Sequence, residues 1–451
     1  MLVQSFSGVR GIYKKDLDEN TARKYCQAYL QFLQKDKVVI GCDTRPSSQS
    51  LKKAMISVIP DAIDVGIATT PMISLAVRDY NADGGIIITA SHNEPEYNGW
   101  KFLAKDSALL RPDDIEKVID NFKKNNLRPC KNEKTEDKNG DIKKDYINFV
   151  LNLIKEDIEL IRSSNFTIVT DPNGGPAILI LDELLKKLNI KNIKKNYELG
   201  KFSRLVEPNE QSLKYLVPII NENNADFAVG FDCDADRVEI MTKNEVISGN
   251  YILALLVDEV LSFRKGLVVT NDVTSYVVRD IALRYNCKVK EVETGEVNVV
   301  DEMIKSKSVV GGEGSSSGGI FPPSRVRDGI LTTAIILRLL AKRKESINSI
   351  INSYPRYYAE RINVKTDKDI IKIKEELKEY FLKKYRIQET GDSSGGLKIL
   401  ISKNSFLWFR PSKTEQGILR IISDSNDKEE AKSLVELGKE AFDSIVGYYH
   451  Y

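Results

Sequence analysis

Gly84-Gly85-Ile86-Ile87-Ile88-Thr89-Ala90-Ser91-His92-Asn93 begins as a short apolar, β-branched run and ends as a polar loop. Such a run reads as a buried strand. Pro95, Asn98 and Gly99, followed by Lys101, read as turn residues beyond the loop. Open α/β sheets place their chemistry where a strand ends in a polar loop. The stretch therefore argues for an α/β fold and offers Ser91 as a reactive hydroxyl. The chain has two histidines: His92 adjoins this serine, and His450 stands beside the C-terminus.

The same pattern recurs outward from there. Residues 38–42, 86–89, 167–170, 227–231, 267–270 and 309–310 read as strands with amphipathic stretches between them, which predicts mainly parallel α/β sheets. Residues 128–145, dense in Lys, Asn, Asp and Glu, read as a surface loop or domain boundary. Further boundaries are expected near 240–248 and near 354–359, where Pro355 breaks a helical pattern. Beyond it Ile370, Ile373, Leu377, Phe381 and Lys384 trace one face of a long amphipathic helix. With 451 residues the chain exceeds one core, and length alone suggests about three domains.

A second strand, Asp226-Phe227-Ala228-Val229-Gly230, runs into Phe231-Asp232-Cys233-Asp234-Ala235-Asp236-Arg237. Carboxylates at alternate positions share one face if the backbone stays extended. Gathered like charges repel unless a cation sits among them, and oxygen ligands suit Mg²⁺ or Ca²⁺. An EF-hand would need Gly at its sixth position and Glu at its twelfth. Arg237 and Lys243 stand there instead, so that loop is excluded.

Two further loops carry polar groups. After the run 308–310 comes Gly311-Gly312-Glu313-Gly314-Ser315-Ser316-Ser317-Gly318-Gly319, hydroxyls and a carboxylate suited to a polyol such as a sugar. Gly314-Ser315-Ser316-Ser317-Gly318 formally matches a nucleophile elbow, but Pro322-Pro323 follows instead of a helix, and no Gly-Lys-Ser/Thr makes it a Walker loop. Arg410-Pro411-Ser412-Lys413-Thr414-Glu415-Gln416-Gly417, flanked by strand-like runs, has the guanidinium, ammonium and hydroxyl donors of a phosphate clamp.

Taken together, the four loops resemble those of the α-D-phosphohexomutase family, the phosphoglucomutases and phosphomannomutases. That family's active-site loop reads Thr-Ala-Ser-His-Asn, as residues 89–93 do. Its metal loop reads Asp-Gly-Asp-x-Asp-Arg, matched at 232–237 with Cys233 in place of Gly. In its sugar loop, Gly-Glu-x-Ser-Gly-His/Gly, Gly312, Glu313 and Ser315 match while Ser316 and Ser317 depart. In its phosphate loop, Arg-Pro-Ser-Gly-Thr-Glu-Pro, residues 410–416 match except Lys413 and Gln416. Ser7-Gly8-Val9-Arg10-Gly11, Gly41-Cys42-Asp43-Thr44-Arg45 and Asp171-Pro172-Asn173-Gly174-Gly175 are further echoes, so the likeness runs from residue 7 to residue 420.

The resemblance implies three similar α/β domains with mixed, mainly parallel sheets and a smaller C-terminal α+β domain, with the active site in a central cleft. The expected segments are 1–145 (phosphoserine loop), 146–244 (metal loop), 245–357 (sugar loop) and 358–451 (phosphate loop). It implies interconversion of hexose 1- and 6-phosphates of glucose or mannose through phosphorylated Ser91 and a hexose 1,6-bisphosphate, which serves as intermediate and activator. Mg²⁺ would be held by Asp232, Asp234, Asp236 and Ser91. Lys101, Arg10 and His92 would serve the chemistry, and Arg237, Glu313, Ser315, Ser317, Arg410, Ser412, Lys413, Thr414 and Arg420 the substrate. Glucosamine phosphates are an alternative substrate, and a catalytically degenerate sugar-phosphate binder is a further alternative.

Bulk properties agree. A net charge of +2 with 29% charged residues creates no global field, so neither nucleic acid nor an anionic membrane is called for. Five cysteines, odd in number and without a CxxC pair, suit a reducing cytoplasm. No signal peptide is expected from Met1-Leu2-Val3-Gln4-Ser5, and no apolar run approaches the roughly 20 residues of a membrane span. A monomer or homodimer acting on small sugar phosphates is the expectation.

Overall fold

A computed structural model describes residues 2–5, 8–314, 316–413, 415 and 417–447. By contacts the chain divides into two units: Met1–Ser248 with Ser317–Ile347, and Gly249–Ser316 with Asn348–Tyr451.

In the first unit, β1 (Val3–Ser5), β2 (Gly8–Ile12), β3 (Lys37–Cys42), β4 (Asp61–Ile67), β5 (Gly84–Ile88), β6 (Tyr97–Leu103) and β7 (Lys134–Asp137) form one sheet. Its order is β1-β2-β6-β5-β3-β4-β7. Within it β3 is parallel to β4 and to the central β5, while β6 runs antiparallel to β5. Val38, Ile40, Ile86 and Ile88 pack with Tyr25, Leu51 and Ile115 from helices on one face. On the other face Gly41 leaves room for Ile73, whose Cδ1 would lie 2.8 Å from a Cβ. Covered on both sides, β5 is buried along its whole length, which is why it reads as continuously apolar rather than alternating. Each of its isoleucines contributes about 1.5–3 kcal/mol of burial.

The segment 128–145 is not a plain loop. It contains β7, which adds to β4 in parallel, and the start of a helix, Asn139–Leu153. The strand Lys-Thr-Glu-Asp is held by backbone pairing at a sheet edge with its side chains largely exposed, so it carries no hydrophobic signal. The boundary expected after residue 145 falls within that helix.

A second sheet in this unit comprises β8 (Thr167–Asp171), β9 (Lys191–Lys194), β10 (Phe227–Phe231), β11 (Val238–Met241) and β12 (Val246–Ile247), ordered β12-β11-β10-β8-β9. Its central β10 is parallel to β8 and antiparallel to β11. The two loops of chemical interest are thus built alike. Each leaves a fully buried central strand and returns antiparallel beside it.

In the second unit β13 (Val268–Asn271) lies parallel to both β14 (Val289–Val292) and β15 (Val310–Glu313). The chain then continues through β16 (Ser316–Ile320). The C-terminal part is an antiparallel sheet of β17 (Tyr358–Lys365), β18 (Arg386–Thr390), β19 (Gly396–Ser402), β20 (Ser405–Pro411) and β21 (Ile418–Ser425), ordered β17-β21-β20-β19-β18. Helices Ile370–Leu382 and Lys428–Val446 supply Leu377, Phe381, Val435 and Phe442 to a core shared with its Ile399, Phe409 and Ile421. Mixed α/β sheets with an α+β C-terminal part are the architecture expected from the sequence. Among the described residues no helix is long and apolar enough to cross a membrane.

Candidate active site

In the first unit Ser91 sits just beyond β5 at φ +52°, a left-handed conformation that disfavours most side chains. Its amide donates to Thr89 Oγ1 at 2.8 Å, and its hydroxyl donates to Asp232 Oδ2 at 3.1 Å. Arg45, 2% exposed, holds this conformation. Its guanidinium donates to the carbonyls of Ser91 (2.7 Å), Asn93 (2.6 Å), Glu94 (2.6 Å) and Tyr97 (3.1 Å), and Nε donates to Asp43 Oδ2 at 3.0 Å. Cys233, the departure in the metal loop, donates from Sγ to the same Asp43 oxygen at 3.3 Å. The serine loop and the aspartate loop are therefore braced through one ion pair.

Asp232, Asp234 and Asp236 bring an oxygen each to within 4.8 Å of one another. They converge differently from the extended strand assumed from their spacing. The backbone turns after β10, with Ala235 at φ +54° and the Arg237 amide donating to Asp232 Oδ1 at 3.2 Å. Lys101 Nζ donates to Asp234 Oδ2 (2.7 Å) and Asp236 Oδ2 (2.9 Å). Thr70 Oγ1 donates to Asp234 Oδ2 at 2.6 Å, and Arg327 donates to Asp236 Oδ2 at 3.2 Å.

The electrostatics follow from that packing. Burial and then the charges of Asp236 and Asp234 push the Asp232 carboxyl well above the usual range. Burial opposes ionisation of Asp236 too, but Arg327, Lys101 and Arg237 together outweigh it and hold that carboxyl low. Oδ1 of Asp234 and Oδ1 of Asp236 are buried without a hydrogen-bond partner. Uncommitted hard oxygens beside a carboxyl that resists ionisation fit a dication such as Mg²⁺.

Arg10 donates to Asn93 Oδ1 at 3.3 Å. His92 has a buried Nδ1 with no partner, and burial followed by Arg237 and Arg10 lowers its pKa to about 3, so it stays neutral near pH 7. Arg237 reaches Glu207 at 3.4 Å and lies 4.0 Å from Asp236. Ser317 donates to Glu239 Oε1 at 2.5 Å, and burial lifts the Glu239 carboxyl to about 7.

In the second unit Glu313 is 7% exposed; its Oε1 accepts from Asn271 Nδ2 (3.0 Å) and the Gly295 amide (2.8 Å). Arg410 and Arg420 face each other across β20 and β21. Arg420 donates to Ser412 Oγ at 3.3 Å and lies 3.7 Å from Glu415. Arg410 donates to Glu293 Oε1 (3.2 Å) and to the Thr294 carbonyl (3.4 Å), and Lys413 donates to Glu293 Oε1 at 2.6 Å. Nε of Arg410 and Nε of Arg420 are buried without partners, donors that an anion can take. Ser315 and Thr414 lie outside the described residues.

The structure thus gathers Arg10, Ser91, His92, Lys101, the three aspartates, Arg237 and Ser317 in the first unit, and Glu313, Arg410, Ser412, Lys413 and Arg420 in the second. Sequence reasoning missed Thr70, Glu239, Glu293 and Arg327, and assigned no role to Asp43 and Arg45. The last pair had a signal, since Asp43 and Arg45 follow the end of the buried strand β3, where the rule that picked out Ser91 also applies.

Comparison with known proteins matches residues 3–129, 144–245 and 248–358 to the alpha/beta/alpha domains I, II and III of phosphoglucomutase/phosphomannomutase, respectively. A phosphoglucomutase/phosphomannomutase of Thermococcus kodakarensis is 36% identical over 448 residues, covering 96% of each chain. A probable phosphoglucosamine mutase of Pyrococcus abyssi is 32% identical, covering 95% of each. The fold is similar to that of a crystal structure of a phosphoglucomutase/phosphomannomutase family protein from Burkholderia thailandensis, with TM-score 0.83, 20% identity and coverage of 100% of this chain and 99% of that one.

Proposed function

The chain belongs to the α-D-phosphohexomutase family, and from that premise we propose that it interconverts hexose 1-phosphate and hexose 6-phosphate through a phosphorylated Ser91. The observation that carries this reading is the placement of Ser91. A serine in a left-handed backbone, braced by Arg45, directs its hydroxyl at the head of a buried aspartate triad.

In the first half-reaction a bond forms between phosphorus and the free hydroxyl oxygen of the sugar phosphate as the bond to Ser91 Oγ breaks. In the second, the bisphosphate's other phosphoryl group bonds to Ser91 Oγ as its bond to the sugar oxygen breaks. In each, the attacking hydroxyl gives up a proton and the departing oxygen gains one. Lys101, bound to two of the three aspartates, is the side chain assigned to that proton, and Arg10 is assigned to the serine-borne phosphate. Asp232, Asp234 and Asp236 would hold Mg²⁺ together with the Ser91 oxygen, and the ion would supply charge neutralisation at the transferring group. His92, neutral near pH 7, orients rather than neutralises. Glu313 and Ser315 would take sugar hydroxyls, with Ser317 and Arg237 also on the substrate side. Arg410, Ser412, Lys413, Thr414 and Arg420 would grip the phosphate that is not reacting. The 1,6-bisphosphate exchanges ends between half-reactions, and a cytoplasmic monomer or homodimer suits such chemistry.

Glucose and mannose phosphates are the proposed substrates. Glucosamine phosphate is the second reading, favoured by relatives such as that of Pyrococcus abyssi. A coupled assay of the three hexose 1-phosphates separates these, and binding without turnover of any of them would leave only a sugar-phosphate binder. Peptide mapping should find phosphate on Ser91, and Ser91→Ala should lower kcat by several orders of magnitude. Near-normal turnover in that variant would refute the covalent route.

A further inference from the structure

Glu293 lies on the connection between β14 and the helix Glu296–Ser306, in none of the four loops that the sequence singles out. Its Oε1 receives hydrogen bonds from both Arg410 and Lys413, and its side chain is 13% exposed. Gly391 leaves space for its other oxygen, which a Cβ there would strike. The next two residues extend the contact. The Thr294 carbonyl also accepts from Arg410, and the Gly295 amide donates to Glu313. A carboxylate bridging a guanidinium and an ammonium occupies the position that phosphate oxygens favour.

We propose that Glu293 is a resident competitor for the phosphate clamp, keeping it weak enough to let go of one phosphate and take another within a single turnover. The inference rests on reading Arg410, Ser412, Lys413 and Arg420 as that clamp. An intermediate that reverses ends must leave the clamp and return to it in every cycle. Three cations held around a dianion favour retention, so release would limit turnover. Lys413 adds to that retention, since it stands where the family's loop has glycine. Glu293 answers it directly, at 2.6 Å. An arriving phosphate must displace the carboxylate from Lys413 and Arg410, and on release the carboxylate closes back. Glu293 touches the clamp and not the reacting atoms, so it is a positioning residue.

The test uses the full-length protein and inorganic phosphate as the probe. Clamp binding is the part of phosphate binding that Arg410→Met removes. Glu293→Gln should tighten that part roughly five- to tenfold at low salt and should lower KM for hexose phosphate and kcat together. The effect should shrink when Lys413→Met is added. Equal or weaker phosphate binding in Glu293→Gln, with Arg410→Met still abolishing it, would overturn this inference and leave the clamp standing. Unchanged phosphate binding in Arg410→Met would overturn the clamp reading itself, and the inference with it.

Discussion

Arg45 shows what a single side chain must do to keep Ser91 in a left-handed backbone. Its planar fork serves four carbonyls and Asp43 at once, a geometry no ammonium can reproduce. Arg45→Lys keeps the charge but loses the bracing, so kcat should drop about 10- to 100-fold with KM little changed, because misplacement of a reacting group acts on the chemical step. A larger rise in KM than fall in kcat would place Arg45 in ground-state binding instead. Lys101 and Ser317 make a second contrast. Lys101 contacts two triad aspartates, whereas Ser317 is hydrogen-bonded to Glu239. Lys101→Ala should therefore cripple kcat, and Ser317→Ala should change it little. Equal losses would show that the proton passes through Ser317.

At the level of elements, both chemical loops of the first unit follow one plan, a buried strand, a tight turn and an antiparallel return. That plan was legible because β5 and β10 are buried on both faces and so read as unbroken apolar runs. The turns themselves were not. Ser91 and Ala235 adopt φ near +50°, which residue type alone does not announce, and the aspartates converge through that turn rather than along an extended strand. The edge strand β7 was invisible for the opposite reason, since backbone pairing holds it without apolar side chains. The long-range partners Thr70, Glu239, Glu293 and Arg327 leave no local pattern, because folding alone brings them to their loops. The aspartate turn also makes a testable element. Mg²⁺ that binds only the folded turn should raise stability by about 2.7 kcal/mol at 100 times its Kd. Thermal melts should show this rise, and Asp234→Asn should remove most of it. No shift of the wild-type melt with Mg²⁺ would refute the metal assignment.

Across the whole molecule, buried carboxyls give each unit its own pH response. In the first unit burial raises Glu239 to about 7, and in the second burial raises Asp424 to about 6, with its Oδ1 unpartnered. An unfolded carboxyl releases its proton near pH 4, so between that pH and its folded pKa the native state binds more protons than the unfolded one. Stability is therefore undiminished by these groups below about pH 4, declines as pH rises, and is fully reduced above about 6 for Asp424 and 7 for Glu239. The loss is at most about 3 kcal/mol for Asp424 and about 4 kcal/mol for Glu239. Glu239→Gln and Asp424→Asn should each flatten the decline in their own unit. The chain's two tryptophans allow the units to be read apart, since Trp100 is buried in the first and Trp408 in the second. Fluorescence melts at pH 5 and pH 8 in a Trp408→Phe background should show a smaller pH shift once Glu239→Gln is added. The Trp100→Phe background should show the same once Asp424→Asn is added. If either substitution leaves its own unit's shift between pH 5 and pH 8 unchanged, that carboxyl ionises normally in the folded protein and its burial is not the source of the pH response.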